Sequence, residues 1–164
     1  VRIGQGFDAH RLGAGRPLVL GGVAIPFERG LEGHSDGDVL LHAVASALLG
    51  ALGEGDLGRH FPSSDAALRG IASREILARV AARLGAGGWA VANVDATIVA
   101  QAPRLAGHLA AMEAVIAEVL AVPEARVNVK VTSPDGLGAV GRGEGIAAQA
   151  VVLIEEGAPG RGDD

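Results

Sequence analysis

Asp8 and His10 stand two residues apart in a run, Arg2 to His10, that reads as an extended strand, so their side chains project from one face. His42 lies farther on, in an apolar-periodic run with helical spacing. Two imidazoles and a carboxylate are a donor set for Zn²⁺ or a similar divalent ion, and three protein ligands leave the open fourth position that a catalytic site needs. Each histidine taken singly reads as an ordinary surface residue; the trio reads as an incomplete metal shell. Asp38, four residues before His42, shares its helical face. It is expected either to accept the second imidazole N–H of His42 and fix its tautomer, or to be a helix N-terminal acid favoured by the macrodipole.

Three further groupings carry polar chemistry. His34 and Ser35 precede a helix start, where backbone N–H groups bind phosphate, and where Ser35 or Asp36 equally reads as a plain cap. The stretch Gly55-Asp56-Leu57-Gly58 to Phe61-Pro62-Ser63-Ser64-Asp65 is a polar loop with a carboxylate between glycines, fit for sugar hydroxyls or for solvent; His60 within it reads as a surface residue. Lys130 to Asp135 offers Thr132, Ser133 and Asp135 at a strand end, suited to phosphates and a second, hard metal ion. The glycines that follow permit close backbone approach, but Gly141 to Gly145 is no dinucleotide fingerprint, because no strand–turn–helix surrounds it.

The elements that must position these groups follow from patterning. Residues 2–10 form a first strand, and residues 18–25 a hairpin turning on Gly21-Gly22. A helix opens at Asp36 or Gly37, carries Val39, Leu40, Ala43, Ala47 and Leu48, and ends near Gly50. Ser73 caps a second helix that stops at Gly85. Trp89 to Gln101 alternates as a long strand, Pro103 starts a helix to about Ala121, and Val127, Val129 and Val131 mark another strand. A glycine-rich loop, 136–145, leads to a last strand at Ile146–Ile154. The expected fold is one α+β domain over residues 1–156, a mixed sheet of about four main strands plus a small hairpin with helices on one face, followed by a flexible tail at 157–164.

Composition narrows the function classes. A chain of 164 residues suits one domain, and with 2% aromatic residues its core must be built from Ala, Val, Leu and Ile, which makes oligomerisation a plausible source of further buried surface. The absence of cysteine removes disulfides, thiolate ligands and thiol nucleophiles, and fits a cytoplasmic protein. A net charge of −5 without a basic run argues against nucleic acid, and no apolar run is long enough to span a membrane.

Together the motifs resemble one family, the 2-C-methyl-D-erythritol 2,4-cyclodiphosphate synthases of non-mevalonate isoprenoid biosynthesis. The carrying segments are Arg-Ile-Gly-Gln-Gly-Phe-Asp-Ala-His at 2–10, His-Ser-Asp-Gly-Asp-Val at 34–39, Gly-Asp-Leu-Gly-Arg-His-Phe-Pro at 55–62, Ala-Gln-Ala-Pro-Arg at 100–104 and Gly-Arg-Gly-Glu-Gly-Ile-Ala at 141–147. The resemblance implies a bacterial, cytoplasmic lyase. It would convert 4-diphosphocytidyl-2-C-methyl-D-erythritol 2-phosphate to the cyclic 2,4-diphosphate, releasing CMP. It implies a homotrimer with active sites between subunits, Zn²⁺ on Asp8, His10 and His42, and Mg²⁺ or Mn²⁺ at the diphosphate near Asp135. It places the 2-phosphate on His34 and Ser35, and the ribose on Asp56 and Gly58. Leu57, Phe61, Ser63 and Asp65 would contact the substrate, cytosine would sit by the Ala100–Arg104 segment with Pro103, and Thr132 and Ser133 would hold the nucleotide phosphates. Ala106, Val131 and Arg142 would also bind substrate, and His34, Thr132, Ser133 and Asp135 are the expected catalytic residues. The family pattern has a carboxylate where Ser63 stands, a Glu at Asp135, a Phe at Ala139 and a Lys at Arg104. The rival readings are a zinc-dependent phosphohydrolase, which would yield a linear monophosphate, and a non-catalytic trimeric nucleotide-binding module, which would release no CMP.

Overall fold

The computed structural model describes residues 1–157, and the expected flexible tail, apart from Gly157, lies outside them. A five-stranded mixed sheet runs in the order β4 (Arg29–Leu31), β1 (Arg2–Ala14), β7 (Gly145–Glu156), β5 (Trp89–Val99), β6 (Val127–Thr132). Only β5 and β6 pair in parallel. The hairpin β2 (Leu18–Leu20) and β3 (Val23–Ile25) forms a separate ribbon. Its turn is Gly21-Gly22 with φ of 59° and 73°, the left-handed pair that a two-residue hairpin turn requires.

Helices α1 (Val39–Leu52), α3 (Ser73–Ala86) and α4 (Leu109–Leu120) cover one face of the sheet. α1 is apolar nearly all round, with Leu40, Leu41, Val44, Leu48 and Leu49 fully buried, because it lies between β1 and β7 beneath and α3 beside it. Each such side chain contributes about 1.5–3 kcal/mol of burial free energy. The helix starts on Asp38, whose carboxylate accepts the Leu41 N–H at 3.1 Å, and stops on Gly53 at φ 74°. The opposite sheet face carries Ile3 and Phe7, which are 69% and 61% exposed.

Several boundaries differ from the sequence reading. The expected helix from Pro103 begins only at Leu109, since the Ala100 N–H still bonds the Thr132 carbonyl at 3.1 Å and carries the strand ladder onward; a 3-10 turn over Ala106–His108 then intervenes. Ser73 is the first residue of α3 rather than its cap, and Gly85 stays inside the helix, which closes on Gly87. The loop at 53–65 contains a one-turn helix, α2 (Leu57–His60), and the glycine loop another, α5 (Gly138–Gly141). β4 adds a fifth strand at the edge of the expected sheet.

Candidate metal centre and active site

β1 and α1 meet through glycine. Gly4 and Gly6 face the helix, and a Cβ on Gly4 would lie 1.9 Å from the Ala47 carbonyl oxygen, one on Gly6 2.0 Å from that of Ala43. Only residues without a Cβ let the helix lie this close to the strand. Strand alternation continues along this face to Asp8 and His10, and the neighbouring position on the helix is His42. Core packing therefore presses an imidazole onto a carboxylate.

Asp8 Oδ2 lies 2.8 Å from His42 Nδ1 and 2.9 Å from His10 Nε2. The two rings are tilted, with centroids 5.4 Å apart. The donor atoms of the trio fall within 4.8 Å of one another. Each imidazole has its far nitrogen engaged: His10 Nδ1 with the Glu32 carbonyl, and His42 Nε2 with Ser73 Oγ at 2.8 Å and Ser35 Oγ at 3.1 Å. A histidine whose outer nitrogen is held by oxygen presents the other to an ion, so these residues fit a divalent metal. Burial opposes ionisation of Asp8, yet the hydrogen bonds from His10 and His42 hold its carboxyl well below the usual carboxylate range. The same bond from His10 to Asp8 raises the His10 imidazole, against the opposing effect of burial.

The expectation that Asp38 fixes His42 is overturned. Its fully buried carboxylate accepts the N–H groups of Gly21 at 2.9 Å, Gly22 at 2.7 Å and Leu41 at 3.1 Å. It caps α1 and ties the hairpin turn to the helix, and burial pushes its carboxyl up to about 6 despite those donors. Neither Ser35 nor Asp36 caps α1: Ser35 Oγ accepts the Gly37 N–H at 3.1 Å and turns inward to His42. His60 is not free on the surface, because its Nε2 meets the Glu54 carbonyl at 3.0 Å.

The trio opens into a cavity of about 260 Å³. Asp8, His10, His34, Ser35 and His42 line its polar end, while Phe7, Ser46, Leu57, Gly58, Phe61, Pro62, Ser63, Leu68, Ile71 and Ile76 line the rest. Asp56 and Asp65 stand outside this lining and cap short helical turns, Asp56 accepting the Arg59 N–H and Asp65 the Ala67 N–H, each at 2.9 Å.

A second group gathers elsewhere on the chain. The segments after β5 and β6 are joined through Gln101, whose Oε1 accepts the Gly136 N–H at 2.9 Å and the Ser133 hydroxyl at 3.4 Å. Ala100, Pro103, Arg104, Ala106, Val131, Thr132, Ser133 and Asp135 belong to this region and none lines the cavity. Asp135 is exposed at φ 52°, its N–H donating to Ser133 Oγ at 3.1 Å. Arg142 follows α5 and pairs with Glu144 at 2.6 Å. β1, β5 and β6 all point the same way, so Asp8, His10 and these loops share one end of the sheet.

Sequence reasoning missed Ser73, Asp36, Gln101 and the Glu32 carbonyl. A serine before a helical run signals a cap, and nothing local reveals that its hydroxyl serves a histidine 31 residues away.

Comparison with known proteins follows the same lines. A family profile described as the YgbB family matches residues 1–155. A 2-C-methyl-D-erythritol 2,4-cyclodiphosphate synthase of Thiobacillus denitrificans is 60% identical over 157 residues, covering 96% of this chain and 98% of that protein. The solved structure of the bifunctional IspDF from Campylobacter jejuni superposes with a TM-score of 0.91 at 40% identity, over 94% of this chain and 42% of that one. A CDP-bound 2C-methyl-D-erythritol-2,4-cyclodiphosphate synthase superposes with a TM-score of 0.86 at 36% identity, over 94% of this chain and all of the other. With the profile spanning nearly every described residue, and relatives of this identity matched end to end, the chain belongs to the YgbB family.

Proposed function

We propose that the chain cyclises 4-diphosphocytidyl-2-C-methyl-D-erythritol 2-phosphate to 2-C-methyl-D-erythritol 2,4-cyclodiphosphate, releasing CMP. The observation that carries this reading is the Asp8–His10–His42 cluster at the polar end of a cavity, in a chain 60% identical to a synthase of that name. An oxygen of the 2-phosphate attacks the β-phosphorus. A new P–O bond closes the ring, the α–β bridging bond breaks, and CMP leaves with the bridging oxygen. No protein nucleophile takes part, which agrees with a chain lacking cysteine.

The work of the protein is to fold a flexible polyanion so that its ends meet, an effect worth about 7–11 kcal/mol when the geometry is held. His34 and Ser35 hold the 2-phosphate, and Asp56 and Gly58 the ribose, while the apolar wall from Leu57 to Ile76 limits water. Asp56 Oδ1 already accepts the Arg59 N–H, which leaves Oδ2 for a hydroxyl. Thr132 and Ser133 hold the nucleotide phosphates, the Ala100–Arg104 segment with Pro103 lies beside cytosine, and Ala106, Val131 and Arg142 also contact the substrate. Asp8, His10 and His42 would hold Zn²⁺, and Asp135 a Mg²⁺ or Mn²⁺; such ions supply Lewis acidity and neutralise phosphate charge.

The assembly is a homotrimer with active sites between subunits. Two features support it: the nucleotide loops of one chain do not line its own cavity, and the sheet face away from the helices leaves Ile3 and Phe7 exposed. A cytoplasmic setting accompanies this reading, and no helix among the described residues is long and apolar enough to cross a membrane. Incubating the purified chain with the substrate and divalent metal, then separating products by phosphorus NMR, tests the proposal. Cyclic diphosphate and one CMP per turnover is the expected result. A linear monophosphate would establish a hydrolase instead, and no CMP a binding module.

A further inference from the structure

A polar chain runs outward from the metal trio. His42 Nε2 lies 2.8 Å from Ser73 Oγ, and the Ser73 hydroxyl donates to Asp36 Oδ1. The other oxygen of Asp36 accepts the Ser73 N–H at 3.0 Å, so one carboxylate grips both donors of this serine. Ser73 is completely buried, and the three residues come from α1, the start of α3 and the loop between β4 and α1. The loop and the α3 start are also joined by backbone bonds, Gly70 N–H to the His34 carbonyl at 2.8 Å and Asp36 N–H to the Ile71 carbonyl at 3.3 Å.

We infer that Ser73 and Asp36 are positioning residues for the metal centre, fixing which nitrogen of His42 faces the ion. The proton count is consistent. Both oxygens of Asp36 accept, from the Ser73 O–H, the Ser73 N–H and the Asp38 N–H; with the Ser73 hydroxyl proton committed there, the lone pairs of Ser73 Oγ accept the His42 Nε2 proton. With an ion bound, Nδ1 is then left with its lone pair toward the metal; without one, its 2.8 Å contact with Asp8 Oδ2 is a hydrogen bond that needs a proton, the one the ion replaces. Without this relay the imidazole would be free to carry its proton on Nδ1 and present no donor to an ion. Asp36 also fixes the orientation of Ser73 from two sides, through its O–H and its N–H.

The magnitude follows from what remains when Ser73 is removed. Outer partners of metal-bound histidines are typically worth about 10–100-fold in affinity. Ser35 Oγ stays 3.1 Å from His42 Nε2, although it also accepts the Gly37 N–H, so the lower end applies. Ser73→Ala should weaken metal binding about tenfold, and Asp36→Asn, which keeps a carbonyl acceptor but loses the charge, by less.

The inference rests on the proposed role of the trio, and the test separates the two. Co²⁺ is titrated into wild type, Ser73→Ala and Asp36→Asn, reading affinity by competition with a chelator and geometry from the visible absorption band. Metal-free melting temperatures are recorded in parallel. A loss of Co²⁺ affinity with an altered band in Ser73→Ala, and a smaller loss in Asp36→Asn, supports the relay. Wild-type affinity and spectrum in Ser73→Ala would overturn it, as would a variant whose only change is a lower metal-free melting temperature. If Ser73→Ala does not fold, the Asp36→Asn titration decides alone, and unchanged binding there refutes the inference. A wild-type chain that binds no Co²⁺ would remove both the trio's role and the relay.

Discussion

At the scale of single residues, similar carboxylates have been given different work by their surroundings. Asp8 is kept ionised by two imidazoles, whereas Asp38, without a cation beside it, is held by three backbone N–H groups and pushed up to about 6 by burial. A carboxyl raised from 3.8 to about 6 on folding contributes stability that is complete below pH 4 and lost as pH rises through 6, an effect of about 3 kcal/mol. The stability of wild type minus that of Asp38→Asn, from urea denaturation, should therefore fall across pH 4 to 6; a difference that stays flat would show that Asp38 ionises normally. Asp135 offers a different test. It is exposed, with backbone in the left-handed region, and stands where the family pattern places a longer acid. Asp135→Asn should weaken the Mg²⁺ or Mn²⁺ dependence of turnover and leave Zn²⁺ bound. Unchanged rates across a Mg²⁺ titration would assign the second ion to substrate phosphates alone.

At the scale of elements, the close seating of α1 on β1 is what turns sequence spacing into a site. Gly6→Ala places a methyl against the Ala43 carbonyl, where only backbone can move. The helix must lift, at a cost of about 1–3 kcal/mol, and His42 moves away from Asp8. The expected outcome is a folded chain with lower melting temperature and reduced zinc content by elemental analysis; full zinc retention would mean that strand and helix can adjust together. The first strand, with Asp8 and His10 on one face, and the helix that carries Ala43 and Ala47 were legible in the sequence, but not that the two pack through Gly4 and Gly6. The Gly21-Gly22 turn was legible too. What was not legible depends on contacts distant in sequence. The helix expected from Pro103 starts later because the strand ladder persists to Ala100, and Asp38 answers to a hairpin 16 and 17 residues away rather than to its helical neighbour. Periodicity reports which face of an element is apolar, but not which partner a buried polar group will find.

At the scale of the whole molecule, one chain carries both halves of the proposed site without joining them. The cavity holds the metal trio and His34, and the loops after β5 and β6 hold the residues expected at the nucleotide. Light scattering should give about three times the 16.4 kDa chain mass. Ile3→Asp, on the uncovered sheet face and outside the cavity lining, should shift the mass toward single chains and lower turnover together. A fully active single chain would defeat the trimer. The seating of α1 on β1 has one more consequence, which concerns ion choice. The separation of the two backbones that carry Asp8 and His42 is set where Gly4 meets Ala47 and Gly6 meets Ala43, so no rotamer change can widen it. An ion such as Ca²⁺, which takes six to eight oxygens at about 2.3–2.6 Å, meets three donors, two of them nitrogen, on backbones that separate only if a helix leaves its sheet. Discrimination against large ions is thus written into glycines and alanines of the core, and a change of preferred metal is to be sought there before it is sought among the ligands.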